Sequence, residues 1–169
     1  MLADANHIMP DSLKFEGDKR FFNAALDRVD LIVHGGNSHE SQPNSRQRKR
    51  IVVTRTVAGI ADDPSNPKAL LWNPTETSFE LACERAGVHT GTIAIIGGPS
   101  VFDMFMDRYD TFWLSEASQI KIPDGQPVFA GVPHQTPRQV LARHGLAPGD
   151  SRILDAANGV TVTPWRRRP

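Results

Sequence analysis

The stretch Ile95–Phe102 reads IIGGPSVF, and it decides the predicted fold class. A β-branched run ends at two glycines, and a helix begins at once, because Pro99 suits a first helical turn and apolar residues follow it at helical spacing. Gly97 and Gly98 let a backbone approach a ligand closely, and the free N–H groups of a helix start attract anions. The stretch therefore predicts an α/β unit whose loop accepts pyrophosphate. A purely structural turn is the alternative.

The stretch Ile32–Glu40 (IVHGGNSHE) repeats this design. A buried strand runs into Gly35 and Gly36, and the next two residues, Asn37 and Ser38, have short polar side chains that suit phosphate. Continuous apolar runs of this kind are typical of parallel strands covered on both faces. We interpret the segment as a second phosphate loop.

A third strand, in Ile51–Arg55 (IVVTR), delivers Thr54 and Arg55 at its carboxyl end. Ligands of open α/β sheets bind at that end of the strands. An arginine can hold a phosphate in a bidentate fork, which would distinguish a 2′-phosphate from a 2′-hydroxyl. The alternative is that Arg55 lies on a solvated loop.

Helix and strand patterns alternate along most of the chain, and a hairpin signal around Asn158-Gly159 closes it. This order predicts a three-layer αβα fold with a mostly parallel central sheet and a C-terminal antiparallel hairpin at one edge. Ala61–Pro67 is predicted as a surface loop. The predicted strands are Val29–His34, Ile51–Thr54, Thr92–Ile96, Thr111–Ala117 and two halves of Arg152–Trp165; the predicted helices are Phe15–Leu26, Ser78–Ala86, a segment opening at Gly98-Pro99-Ser100, and Thr136–Gly145.

Composition argues against several classes of protein. Nineteen basic and nineteen acidic residues cancel, so no overall field favours nucleic acid or a membrane. A local basic run, Arg46 to Arg50, is interpreted as a solvated loop. The single Cys83 cannot form an intramolecular disulfide and is expected to be an inert core thiol. No apolar run approaches the ~20 residues of a membrane span. We expect a soluble, cytoplasmic protein without nucleic-acid or membrane partners; the six histidines show no metal-ligand spacing, so no metal is assigned.

The order and spacing of these segments resemble the dihydrofolate reductase superfamily, which includes the reductase domain of riboflavin biosynthesis. The resemblance covers roughly residues 8–165. The matching features are Gly35 with Ser38, the basic stretch and strand of Lys49–Arg55, Ile95–Gly98 with Phe102, Tyr109-Asp110, Leu114-Ser115, and the acidic turn and Phe in Pro123–Phe129.

The resemblance implies an NADPH site built from two loops. One side would hold the adenosine phosphate, with Arg55 selecting NADPH over NADH and the neighbouring basic run in support. The other side would lie beneath the pyrophosphate and nicotinamide. The residues implied are Gly35, Asn37, Ser38, Thr54 and Arg55 on the first side, and Gly97, Gly98, Ser100, Val101 and Phe102 on the second.

The resemblance also implies a substrate pocket with an acidic residue on the first helix. Asp18 matches that acid best, because it and Phe22 are four residues apart on one side of the helix; Glu16 is the rival. Ser115 would hydrogen-bond the acid or the substrate ring. Such an acid supplies a proton when hydride reaches a C=N bond, or holds a protonated ring. The alternative is that Asp18 only charges a helix start.

The family's Met/Leu-Pro-Trp run, which opens the substrate pocket, is only partly matched. Met9 and Pro10 fit it, but Asp11 replaces the Trp, and Gly36 stands where folate reductases usually carry an Arg. The resemblance implies an NADPH-dependent reductase that transfers hydride to a pterin-like or other heterocyclic or carbonyl substrate. The alternative is a non-catalytic nucleotide-binding protein on the same scaffold. The riboflavin-type reductases suggest a homodimer by analogy.

The opening segment Met1–Pro10 (MLADANHIMP) is polar and short. The family's chain opens instead with a central buried strand. We therefore expect residues 1–169 to form one domain that lacks this first strand. A strand position next to Leu31–Val33 or Ala94–Ile96 would then be unoccupied.

Overall fold

The computed structural model describes Ala3, residues 8–38 and residues 44–168. Most of the opening segment and the end of the Ile32–Glu40 stretch lie outside the described residues. The helices are α1 (Glu16–Leu26), α2 (Phe79–Arg85), α3 (Pro99–Met104) and α4 (Pro137–Arg143); the strands are β1 (Leu31–Gly35), β2 (Arg50–Val53), β3 (Ile60–Asp62), β4 (Ala69–Trp72), β5 (Ile93–Ile95), β6 (Thr111–Ala117), β7 (Leu146–Pro148), β8 (Arg152–Asp155) and β9 (Val160–Arg167).

The chain forms two compact units. The first unit comprises Met1–Phe22 and Asp103–Pro169, and the second comprises Asn23–Phe102. The expectation of one domain stays a prediction.

The second unit contains a five-stranded sheet in the order β3-β4-β2-β1-β5. All its neighbouring pairs are parallel except β3 with β4. The predicted burial of the first strand is confirmed, because Leu31, Ile32 and Val33 are at most 1% exposed. Helix α2 begins where Ser78 accepts a hydrogen bond from the Leu81 N–H, which satisfies one of the free donors of the first turn.

The first unit contains an antiparallel sheet in the order β6-β9-β7, with β8 also paired to β9. The predicted C-terminal hairpin is confirmed as β8 and β9. Helix α4 opens on a capping box between Thr136 and Gln139, with Pro137 at its first position. Helix α1 starts close against β8, since the Leu154 carbonyl occupies the place where a Cβ on Gly17 would stand.

The mixed α/β class with a mostly parallel sheet is confirmed, with three differences of detail. Thr111–Ala117 pairs antiparallel with β9, so the strands fall into two sheets. Strands β4 and β7 were not predicted. The predicted loop Ala61–Pro67 is wrong at its start, where β3 pairs antiparallel with β4 through Ala61 and Leu71. Three-residue strands and half-polar sequences have too little periodicity to be recognised without their partners.

Each sheet ends at a strand with a ladder on only one side. Among the described residues, β5 pairs only with β1, and β6 pairs only with β9. Strand β1, by contrast, is paired on both sides. The lack of the family's first strand stays a prediction.

Candidate cofactor and substrate sites

The two predicted phosphate loops meet in the second unit. The Gly35 N–H donates to the Gly97 carbonyl at 2.7 Å, so the end of β1 and the loop after β5 are directly joined. A Cβ on Gly35 would lie 3.4 Å from Val101 Cγ2, and one on Gly98 would lie 3.5 Å from Ser38 Oγ. The sequence separates these loops by about sixty residues, and the parallel pairing of β1 with β5 brings them together.

Gly97 has a backbone that requires glycine. Its φ is +101°, and a Cβ there would lie 2.8 Å from the Phe102 ring. The peptide bond from Gly97 to Gly98 is cis. The Phe102 ring therefore occupies the space that a side chain at position 97 would need, and the loop conformation depends on both residues.

The expected anion site at the start of α3 stays a prediction, and the helix itself offers it little support. Helix α3 has only six residues, and the N–H groups of Val101 and Phe102 both donate to the Gly98 carbonyl. Its dipole and these two donors therefore contribute little to holding a phosphate. Ser100 is exposed at the head of this helix. Close backbone approach at the glycines is the feature of this loop that suits a ligand.

Thr54 and Arg55 directly follow β2, next to the end of β1. The Thr54 N–H donates to the Trp72 carbonyl at 2.9 Å, and the Thr54 hydroxyl lies 2.9 Å from the Thr56 hydroxyl. Arg55 is exposed. Asn37 is exposed and Ser38 is half-buried after β1, so the polar residues predicted for phosphate all follow the carboxyl ends of neighbouring parallel strands.

The basic run is only partly the solvated loop that the sequence suggested, because Arg46 and Lys49 are exposed but the other two basic residues are not. Arg48 is largely buried and paired with Asp27, and Arg50 belongs to β2 with 7% exposure. Lys49 precedes β2, whereas Arg55 follows it, so the strand separates the run from the arginine that it was expected to support. Of these basic residues, Arg55 alone stands at the carboxyl end of β2.

The predicted acid and hydroxyl meet in the first unit. The Ser115 hydroxyl donates to Asp18 Oδ1 at 2.7 Å. The same faces of α1 and β6 carry Phe21 and Trp113, whose rings lie 5.2 Å apart edge to face. Because Phe21 is three residues after Asp18 and Trp113 is two before Ser115, this ring contact aligns helix and strand so that the polar pair can form.

The geometry favours Asp18 over Glu16 as the pocket acid. Glu16 is exposed and lies 3.6 Å from Lys19 on its own helix. Phe22 is half-buried one turn beyond Asp18, as expected from their spacing. Met9 is 51% exposed ahead of a short 3-10 turn at Asp11–Leu13. The roles of these residues stay predictions.

Comparison with solved structures identifies the fold of the chain. No family model matches the chain, and no curated protein matches it. Among solved structures, dihydrofolate reductase from Enterococcus faecalis, complexed with NADP(H) and RAB-propyl, matches 100% of this chain and 90% of its own, with a TM-score of 0.60 at 15% identity. The chain has the dihydrofolate reductase-like fold.

A second solved structure supports this assignment. The diaminohydroxyphosphoribosylaminopyrimidine deaminase/5-amino-6-(5-phosphoribosylamino)uracil reductase of Thermotoga maritima matches 99% of this chain at 12% identity, with a TM-score of 0.62. The match covers 53% of that chain, so the chain described here spans about half the length of the Thermotoga maritima protein.

The sequence did not predict a buried polar link between His34 and Arg50. His34 and Arg50 are 5% and 7% exposed, and the Arg50 guanidinium lies 3.4 Å from His34 Nε2. Since a guanidinium only donates, Nε2 accepts and Nδ1 carries the proton toward the Gly35 carbonyl at 2.9 Å. Arg50 also donates to the Ser45 carbonyl. The feature of the sequence that could have indicated this link is the position of Arg50 directly before the apolar residues Ile51–Val53.

Within the described ranges, no three His, Cys, Asp or Glu side chains form a group that could hold a metal ion. No helix in those ranges is both long enough and apolar enough to cross a membrane.

Proposed function

We propose that the chain binds NADPH and transfers hydride to a pterin-like or other heterocyclic or carbonyl substrate. The observation that supports this most is the junction of the two glycine loops through Gly35 and Gly97, with Thr54 and Arg55 after the adjacent strand. Three neighbouring parallel strands thus end in glycines and phosphate-compatible side chains. Ligands bind at this edge in open α/β sheets.

The Arg55 guanidinium is proposed to hold the 2′-phosphate of the cofactor. It is exposed and follows β2, and a guanidinium fork matches a phosphate in geometry and charge. The NADP(H) complex of the Enterococcus faecalis dihydrofolate reductase is consistent with a phosphorylated cofactor on this fold. NADPH, when bound, supplies the hydride.

Asp18 is proposed to bind the substrate or to deliver the proton that accompanies hydride. Ser115 donates a hydrogen bond to its carboxylate, which fixes the orientation of the acid while one carboxylate oxygen remains available to a ligand. Phe22, on the same side of α1, would contact the substrate ring. Met9 is proposed to line the same pocket.

The test is a titration of the chain with NADPH, followed by NADPH oxidation in the presence of dihydrofolate or a pyrimidinone substrate. We expect saturable NADPH binding and absorbance loss at 340 nm that depends on substrate. Binding without oxidation of any pterin, pyrimidinone or carbonyl compound would favour the non-catalytic nucleotide-binding protein. An absence of NADPH binding would contradict both. A homodimer and a cytoplasmic location are further parts of the proposal.

A further inference from the structure

A cavity lies at the amino ends of the strands of the five-stranded sheet, whereas the proposed cofactor loops lie at their carboxyl ends. Its volume is about 570 Å³. Val29 and Asp30 precede β1, Lys49 precedes β2, and Lys68 precedes β4, so its lining comes from the amino ends of three parallel strands. The cavity is therefore separate from Thr54 and Arg55, which follow β2.

Two lysines stand side by side at this cavity. Arg50 is in register with Ala69, so the residues just before them, Lys49 and Lys68, are neighbours on adjacent strands. The Arg50 N–H donates to the Lys68 carbonyl at 3.0 Å, which fixes this alignment. Both lysines therefore belong to the lining of the same cavity.

Among the described residues, the two lysine ammonium groups donate only to carbonyl oxygens. Lys49 Nζ lies 3.4 Å from the Gly87 carbonyl, and Lys68 Nζ lies 3.0 Å from the Gln47 carbonyl. Neither has a carboxylate within ion-pair distance in the part of the chain that the structure describes. Both residues are exposed, and each ammonium has further donors for a ligand.

The acidic groups of the lining are already engaged. Asp27 accepts from Arg48 and Asn44, and the hydrogen bond from Arg48 holds the pKa of its carboxyl below the usual range. Asp62 lies 3.6 Å from Arg85. Asp30 accepts the Thr92 N–H at 2.8 Å. The four basic side chains of the lining, Arg48, Lys49, Lys68 and Arg85, outnumber its three acids, Asp27, Asp30 and Asp62, so the lining carries an excess of positive charge.

We propose that this cavity binds a phosphomonoester, with the phosphate dianion bridging Lys49 and Lys68. Two ammonium groups on the lining of one cavity match a dianion in charge, and a carboxylate would neutralise only one of them. The volume leaves room for an organic group behind the phosphate. The site is independent of NADPH binding and of reductase activity.

The experiment measures binding of inorganic phosphate and of ribose 5-phosphate to the full chain by calorimetry, with sulfate for comparison. We expect both phosphates to bind and ribose 5-phosphate to bind more tightly. The double variant K49A/K68A should bind at least about tenfold more weakly, because two charge-assisted contacts are lost. Ligand should raise the melting temperature of the wild type more than that of the double variant.

Two matched controls separate this site from others. Lys121→Ala removes an exposed lysine elsewhere and should leave phosphate binding unchanged. Arg55→Ala should also leave ribose 5-phosphate binding unchanged, while K49A/K68A should bind NADPH like the wild type. No binding of either phosphate by the wild type at about ten millimolar, or equal binding by K49A/K68A, would overturn the proposal. Failure of NADPH to bind would not affect it.

Discussion

Ser115 and Asp18 are 97 residues apart in the sequence, and the serine hydroxyl donates to the aspartate carboxylate at 2.7 Å. The contact joins the first turn of α1 to the middle of β6. If this pair binds substrate, Asp18→Asn and Ser115→Ala should both lower kcat/KM and leave NADPH affinity unchanged. We expect about a tenfold to hundredfold loss for Ser115→Ala, since one hydrogen bond to a charged group is removed. Glu16→Gln is the control. An equal loss in that variant would show that the effect is not specific to the pair.

Arg55→Ala should abolish the preference for NADPH over NADH. A charge-assisted contact to the 2′-phosphate contributes about 1.5–3 kcal/mol, which is roughly a tenfold to hundredfold change in affinity for NADPH alone. Fluorescence titration with both cofactors measures it. Arg46→Ala, on the short turn at Ser45–Gln47, is the matched control. Retention of the wild-type preference by Arg55→Ala would refute the assignment.

Gly97→Val should weaken or prevent cofactor binding and destabilise the fold. The side chain would meet the Phe102 ring at a position where φ is +101°, a conformation that costs of order 1–3 kcal/mol for a residue other than glycine. Gly36→Ala is the control, because nothing lies within 4 Å of a Cβ there. Melting curves and NADPH titration separate the two effects. A folded Gly97→Val variant with wild-type affinity would exclude this loop from the site.

Tyr109 is the only tyrosine, so its ionisation can be followed directly by absorbance at 295 nm. Burial raises the pKa of Tyr109, and the negative charge of Asp103 adds to the shift. The folded protein should show little phenolate at about pH 11, where an unfolded tyrosine, with a pKa near 10, is mostly ionised. Because the pKa is higher in the folded state, stability should fall as pH rises above about 10. Ionisation near pH 10 in the folded protein would contradict this burial.

One side of β5 has no partner strand among the described residues, and this edge should be visible in amide hydrogen exchange. The Ile96 N–H donates to the Val33 carbonyl, and backbone groups alternate sides along a strand, so the Ile95 N–H faces away from β1. We expect faster exchange at Ile95 than at Ile32, whose N–H donates to the Lys49 carbonyl at 3.0 Å. Equal protection at both amides would mean that something covers the edge.

The sequence alone determined the elements whose signals are local. The apolar run before Gly35, the helix opening at Pro99 and the hairpin around Asn158-Gly159 depend on neighbouring residues, and all three are present. The proposed site residues were likewise chosen from short stretches and their order. Strand β4 was not recognised, because its short sequence ALLW becomes a strand through its parallel pairing with β2.

Only the tertiary structure decided which distant residues meet. The contact of Gly35 with Gly97 requires the parallel pairing of β1 and β5, and the contact of Asp18 with Ser115 requires α1 to pack on β6. The basic run was predicted to be a solvated loop, and the sequence did not indicate that Arg50 is buried beside His34. It also did not indicate that Lys49 and Lys68 are neighbours on adjacent strands. The period of the apolar pattern in a sequence indicates which face of a helix or strand a residue occupies. The register between strands determines which residue of the neighbouring strand lies opposite it. That register is set by packing and hydrogen bonding across the whole sheet.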